Sequence, residues 1–274
     1  EQLYRVHGSS AGDPSEPPRT SPFPAPPIPH QGIIRDLVER LEASGCLVSA
    51  LPRALDFGPN GRCVLCPTCD GYFCRLDAKM DAETACIRPG LQSGRLTVLT
   101  NTECLRVVAG PCGTRVEGVE LQQGGERRIV GAEVVAACAG LSGTPALLRR
   151  SRNARHPLGL GNDRDNLGRY LCGHSTAYIL PILGLKPIPP LHTKTFAINS
   201  FYEPDGDWPY PMGVIQMAGQ LPIEAGDLPR GTRAVARFVL RRALLCFCMT
   251  EEPSLREAGL IFEGDEVVGR TFPP

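Results

Sequence analysis

"VVAACAGLSGTPALLRRS", residues 134–151, is an apolar run that turns into a helix signal within a few residues. Val134 to Ala139 carry no charge, as suits a strand buried on both faces. Gly140 ends the run, Thr144 is placed to cap, and Pro145 suits the first position of a helix, where a missing N–H loses nothing. The stretch predicts a buried strand ending at Gly140 and handing over to the helix "PALLRRS", which is an α/β crossover.

Upstream, "RLTVLT" (95–100), "ECLRVVA" (103–109) and "TRVEGVELQQ" (114–123) read as strands, Gly124–Gly125 turns a hairpin, and the strand reading resumes in "RRIVGAEVVAACAG" (127–140). In "GIIRDLVERLEASG" (32–45), Ile33, Ile34, Leu37, Val38 and Leu41 recur at helical spacing and Gly45 ends the turn. After about residue 175 the texture becomes "STAYILPIL", "KTFAINSFY" and "GVIQMAGQ" between proline and glycine turns, which predicts an antiparallel sheet. The fold class expected is α/β (α+β), with one domain over 1–174 and a second over 175–274.

The chain has 274 residues, enough for one large domain or two modest ones, and 29 basic against 29 acidic side chains. Zero formal charge supplies no basic field for nucleic acid or an anionic membrane, and a small-molecule partner fits better. No apolar run approaches the roughly 18 residues that span a bilayer, and the N-terminus lacks a signal-peptide pattern. A soluble, cytoplasmic protein without a membrane segment is expected. The chain opens at Glu1, not Met, and reads as an internal portion of something longer. Residues 14–32, "PSEPPRTSPFPAPPIPHQG", are too proline-dense for helix or central strand and read as an extended linker, or less simply as a loop laid over a site.

Four of the twelve cysteines crowd into "CVLCPTCDGYFC", residues 63–74. Cys63, Cys66, Cys69 and Cys74 satisfy the count for a tetrahedral thiolate shell holding zinc or an iron-sulfur cluster. The spacing is not that of a ferredoxin, and a four-cysteine zinc site normally uses two separated pairs, so disulfides and free structural thiols remain open beside metal. Cys104 and Cys138, in apolar runs, are expected to be small buried hydrophobes. "GLSGT" (140–144) lacks the final glycine of a hydrolase nucleophile elbow, which argues against a Ser142 nucleophile. His156, His174, His192, Lys194 and Arg169 have simpler readings as capping or paired groups, Arg169 with Asp163 or Asp165, and Trp208 as a core or interface anchor.

Taken in order, "YRVHGSSAGDPSEPPRTSPFPAPPIPH", "CPTCDGYFCRLDAKMDAETACIRPGL", "LTVLTNTECLRVV", "CAGLSGTPALLRRS", "HPLGLGNDRDNLGRYLCGH", "KTFAINSFY" and "YPMGVIQMAGQ" resemble the glucose-methanol-choline flavin oxidoreductases over residues 1 to about 220. The resemblance implies an incomplete FAD-binding α/β domain interleaved with an antiparallel-sheet substrate domain. It places Cys104 where relatives usually put a valine whose backbone meets the adenine of FAD, and Gly140, Thr144 and Pro145 on the family's second signature, with Leu141 in place of a small residue. Some relatives hold an iron-sulfur cluster near the cysteine-rich loop, with different spacing. No G-x-G-x-x-G occurs in the chain, and the family's catalytic histidine segment is expected beyond Pro274, so no catalytic residue is assigned here.

The expected function is that of part of an FAD-dependent oxidoreductase acting on CH–OH groups. It would oxidise an alcohol or sugar-like substrate by hydride transfer to flavin, with either oxygen or a separate electron acceptor as the further partner. The segment alone is expected to be inactive and to bind flavin poorly. The rival readings are a non-catalytic relic and a metal-cluster electron-transfer module centred on Cys63 to Cys74.

Overall fold

The computed structural model describes residues 1–9, 19–67, 69, 72–204, 206–219, 229 and 231–272. In chain order its strands are β1 (Val6–His7), β2 (Val48–Ala50), β3 (Arg53–Ala54), β4 (Thr102–Ala109), β5 (Val116–Gln123), β6 (Glu126–Gly131), β7 (His174–Ile179), β8 (Phe196–Ile198), β9 (Val214–Gly219), β10 (Leu245–Glu251), β11 (Gly259–Glu263) and β12 (Glu266–Thr271). The helices are α1 (Gly32–Ala43), α2 (Arg88–Gln92, continuing a π-helical turn over Glu83–Ile87), α3 (Gly140–Arg150) and α4 (Arg233–Leu240). The mixture of helices and antiparallel sheets is of the α/β (α+β) class expected.

Two compact units share the chain: Glu1–Leu96 with His174–Glu251, and Thr97–Gly173 with Glu252–Pro274. The expectation of 1–174 and 175–274 is a single boundary, whereas the chain changes unit after Leu96, after Gly173 and after Glu251. These crossings thread each unit through the other in sequence.

In the first unit a five-stranded sheet runs β2-β8-β9-β10-β7, all antiparallel. Helix α1 forms where the sequence places it, because Ile34 and Val38, one turn apart, give it a single apolar face while Arg35, Asp36 and Glu39 face water. That face meets Phe196, Ile198, Met217, Leu244 and Cys246, with Ile188 and Leu191 closing the cluster. Burial pushes the Cys246 thiol up to about 11, so it serves as a small hydrophobe. The start of α1 is pinned by Gln31, whose side chain donates to Pro190 O at 2.8 Å and accepts the His192 amide at 3.2 Å. Its own helix cap is thereby left unmade.

Part of the proline-rich stretch lies outside the described residues, but within 19–31 two side chains anchor the chain to the fold, which corrects the linker reading. Phe23 and Ile28 are buried, and the buried His7 ring is held between Pro26 O at 2.8 Å and Leu55 O at 3.1 Å. Each proline lacks a donor, yet its carbonyl still accepts, and His7 supplies the partner.

The second unit is built on the sheet β4-β5-β6 and the hairpin β11-β12. The Gly124–Gly125 turn forms as expected, with φ of +59° and +89° matching the tight turn that twisted strands require. Gly118 on β5 has φ +156°, and a Cβ there would stand 2.0 Å from Val130 O on β6, so only glycine fits. Ser151, just past α3, is buried and ties the helix to β4: its Oγ donates to Leu147 O at 2.7 Å and accepts the Val107 amide at 2.8 Å. Arg149 donates to Gly264 O at 2.8 Å in the turn of the β11-β12 hairpin. That hairpin lies where the sequence drifts from any expected strand pattern.

Three local readings are corrected. Residues 132–139 form no ladder, and Val134 is 82 % exposed, so the buried strand before Gly140 is absent. Residues 95–100 likewise stay unpaired, with Val98 and Leu99 exposed. A strand needs a neighbour for its amides and carbonyls, and apart from the Ala132 amide, which donates to Glu117 O at 3.0 Å, no backbone ladder forms along either run among the described residues. Accordingly Cys138 is exposed, not buried, and Cys104 is half-buried. Finally, α3 begins at Gly140 and Pro145 lies inside it. Thr144 Oγ1 accepts the Ala139 amide at 3.0 Å, so the threonine closes the first turn from within instead of capping a later start. Trp208 is 54 % exposed against the edge of Tyr210, which is no core position.

Candidate functional site

The cysteine-rich loop is closed at its base by residues 54–56 pairing with 78–80. Asp56 N donates to Ala78 O at 2.8 Å, Met80 N to Ala54 O at 3.0 Å, and Leu55 bridges Lys79. Inside this clasp the Asp56 carboxylate is buried and accepts from Arg62 Nε at 2.7 Å and from Arg5, while its carbonyl takes the Cys63 amide at 2.9 Å. The loop thus hangs from one acidic residue that the sequence reading missed; no motif surrounds it.

The Arg62 hydrogen bond, reinforced by the Arg5 charge, holds the Asp56 carboxyl below the usual range although burial acts the other way. A depressed folded-state value stabilises the fold above the unfolded carboxylate value of about 4, and that stabilisation is lost as pH falls through the folded value. The stability difference between the native chain and Asp56→Asn is therefore expected to be largest above about pH 4 and to shrink at lower pH. Urea titrations of both proteins across acid pH check this; a difference that grows as pH falls contradicts it.

Over the clasp lies a cavity of about 630 Å³ lined by Cys63, Cys66, Cys69, Cys74, Tyr72, Phe73, Lys79 and Thr193, among others. All twelve cysteines of the chain are thiols, not disulfides. Among the described residues no three His, Cys, Asp or Glu side chains gather closely enough to hold a metal ion. The four cysteines surround one space without converging on one point, so the zinc or iron-sulfur reading of Cys63, Cys66, Cys69 and Cys74 is not carried forward.

The thiols differ. Burial pushes Cys63 up against the opposing Leu65 amide, and Cys69, Cys66 and Cys74 act in the same direction as burial. Burial also opposes ionisation of Cys74, but the amides of Ala78, Leu76 and Lys79 and the Lys79 charge outweigh it and hold that thiol below its ordinary value. The Ala78 amide points at Cys74 Sγ from 3.3 Å. Lys79 Nζ is fixed by the carbonyls of Cys69 and Tyr72, the latter at 2.8 Å. On the cavity wall the Thr193 hydroxyl, in a residue 1 % exposed, has no partner among the described residues. An unsatisfied buried hydroxyl costs about 1–3 kcal/mol, so the position calls for a polar group in the cavity.

In the second unit Cys104, Gly140, Thr144 and Pro145 belong to one packing of α3 against β4. Arg150, at the end of α3, donates to Leu105 O at 3.1 Å and to Cys104 O at 3.4 Å. Gly140 has φ +74° and open space where a Cβ would stand. Ala139 gives no side-chain cap, so the first amides of α3 are available to a dipolar or anionic group. These residues fit a backbone approach by a cofactor at the helix start. At Cys104 the carbonyl is already taken by Arg150.

His156 and His30 have structural partners. His156 Nε2 donates to Gly113 O at 2.9 Å and Nδ1 faces Asp163 at 3.1 Å; the carbonyl and then the carboxylate push its pKa up. Arg169 pairs with Asp165, as the simpler reading had it. His174 opens the exposed strand β7. His30, not singled out from sequence, meets Thr195 Oγ1 at 2.8 Å, and burial lowers its pKa.

A family model described as GMC oxidoreductase matches residues 27–176. The structure is similar to that of pyridoxine 4-oxidase from Mesorbium loti, with a TM-score of 0.55 and 19% sequence identity over 97% of this chain and 47% of that one. The chain thus spans about half the length of that solved relative. No curated protein sequence matches it. Among the described residues no helix is long and apolar enough to cross a membrane.

Proposed function

Because the chain belongs to the GMC oxidoreductase family, a family of FAD-dependent enzymes, we propose that it is part of an oxidoreductase that oxidises the CH–OH group of a small alcohol or sugar-like molecule. The observation that carries this reading is the family match over residues 27–176, which takes in both the cysteine loop and the α3–β4 packing. When bound, FAD supplies the acceptor for the hydride leaving the carbinol carbon.

The chain's own residues orient and enclose. In this reading Thr97–Gly173 lies on the FAD side: the free amides at the start of α3, with Gly140 left open, accept a dipolar part of the cofactor, and Thr144 and Pro145 shape that turn. Cys104, whose carbonyl Arg150 holds, would meet the adenine through its amide. The sheet β2-β8-β9-β10-β7 belongs, in this reading, to the substrate domain. No residue of the chain is assigned the transfer of the substrate proton. Oxygen or a separate electron acceptor would be the remaining partner.

The test uses the whole open reading frame containing these residues. Purified under mild conditions it is expected to carry FAD, and that flavin should bleach anaerobically with a member of a panel of polyols, aldoses and aromatic alcohols, pyridoxine included. A flavin-loaded protein that none of them reduces overturns the reading and favours a non-catalytic relic. Residues 1–274 alone lack a glycine-rich phosphate turn and are expected to lose FAD on gel filtration. Stoichiometric retention of FAD by that chain contradicts the expectation.

A further inference from the structure

We propose that Cys74 and Cys63 form a hydroperoxide-sensitive thiol pair in the cavity of the cysteine loop, Cys74 being the nucleophile and Cys63 the thiol that closes a disulfide onto it. The inference is independent of the flavin reading and needs only this loop.

Four thiols line one space, yet no three of them share a ligand position. Chelation is therefore disfavoured, and pairwise sulfur chemistry is what the arrangement supports. Cys74 is set up as the attacking atom: the Ala78 amide points at its sulfur from 3.3 Å, and Lys79 stands in the same wall, held in place by two carbonyls of the loop. These groups favour the thiolate, which is the reactive form. Cys63 differs in balance: the Leu65 amide favours its thiolate, but burial outweighs that amide and pushes the thiol up. It lines the same cavity as Cys66, Cys69 and Cys74. The orphaned Thr193 hydroxyl is a second feature that points to a small polar visitor. The rim residues Tyr72 and Phe73 are exposed, so the loop is within reach of solutes.

The chemistry balances with a hydroperoxide as oxidant. Cys74 thiolate attacks the terminal peroxide oxygen, the O–O bond breaks, and with one proton taken up the products are Cys74 sulfenic acid and water or an alcohol. The Cys63 sulfur then displaces the sulfenic hydroxyl, forming the S–S bond and releasing water with the Cys63 proton. Two thiols are oxidised by two electrons, and one peroxide is reduced.

Cys112 provides an internal comparison. The Thr114 hydroxyl and amide also hold its thiol below the ordinary value, but no other cysteine lines its cleft. It can form a sulfenic acid without closing a disulfide locally.

The full chain, reduced and freed of reductant, is treated with one equivalent of hydrogen peroxide at pH 7 and mapped by mass spectrometry with and without dimedone. The expected result is a Cys63–Cys74 cross-link that dithiothreitol reverses. In Cys63→Ser, Cys74 should instead carry the dimedone adduct, as Cys112 does in every variant. In Cys74→Ser, oxidation of Cys63 should slow by about tenfold or more, since the thiolate that attacks peroxide is gone. Should Cys74→Ser fail to fold, Cys63→Ser, judged by circular dichroism and its adduct, decides alone. The proposal is overturned if Cys74 stays reduced while other thiols oxidise, if it passes to sulfinic acid with Cys63 intact, or if its disulfide runs to Cys66 or Cys69.

Discussion

Phe196→Ala is expected to lower the unfolding free energy of the unit containing the five-stranded sheet by about 3–5 kcal/mol, the range for truncating a buried phenylalanine. Phe196 is 1 % exposed on β8, a strand with neighbours on both sides, and its ring faces the cluster that includes Ile34 and Val38 of α1. Deleting it removes apolar surface from the centre of that cluster and leaves a cavity that a strand bonded on both edges has little freedom to collapse. The loss should appear in urea melts followed by far-ultraviolet circular dichroism. Phe73→Ala is the control, since that ring is fully exposed and its removal should stay within about 0.5 kcal/mol. Equal effects at the two positions would show that α1 does not seal the sheet.

Ser151→Ala should cost the second unit about 1–3 kcal/mol, because it strands a donor that has no access to water. The Val107 amide on β4 points at Ser151 Oγ from 2.8 Å, and both residues are buried. Alanine keeps the helix end but leaves that amide bare. Hydrogen exchange resolves the effect: protection at Val107 should fall in Ser151→Ala while protection within α1 stays as it was. Unchanged exchange at Val107 would mean that the serine does not join α3 to β4.

Both predictions rest on contacts of different legibility. Helix α1 was readable because Ile34 and Val38 recur within one turn and Gly45 follows, and those signals act over a few residues. The β5–β6 hairpin was readable for the same reason, since Gly124–Gly125 chooses its own turn. The reading failed at 134–139, where composition announces a buried strand but burial requires a second strand to pair with. Ser151 carried no signal at all, since nothing in "RRSRN" says that its hydroxyl will meet an amide more than forty residues away. The cysteine loop was conspicuous as a count of sulfurs. Whether they converge on a metal or line a cavity depends on backbone turns at Leu65 and Asp77, both at positive φ, that the spacing does not reveal.

By itself, then, the order of residues determined the local elements, the antiparallel texture after residue 175 and the family resemblance, because periodicity, turn chemistry and motif order are written in neighbouring positions. Tertiary structure alone decided where the two units exchange the chain, that the proline-rich stretch packs around His7, and that four thiols face one cavity with unequal acidity. Each of those outcomes depends on groups distant in sequence satisfying or charging one another. Such long-range pairing of amides, carboxylates and sulfurs has no local pattern from which it could be read.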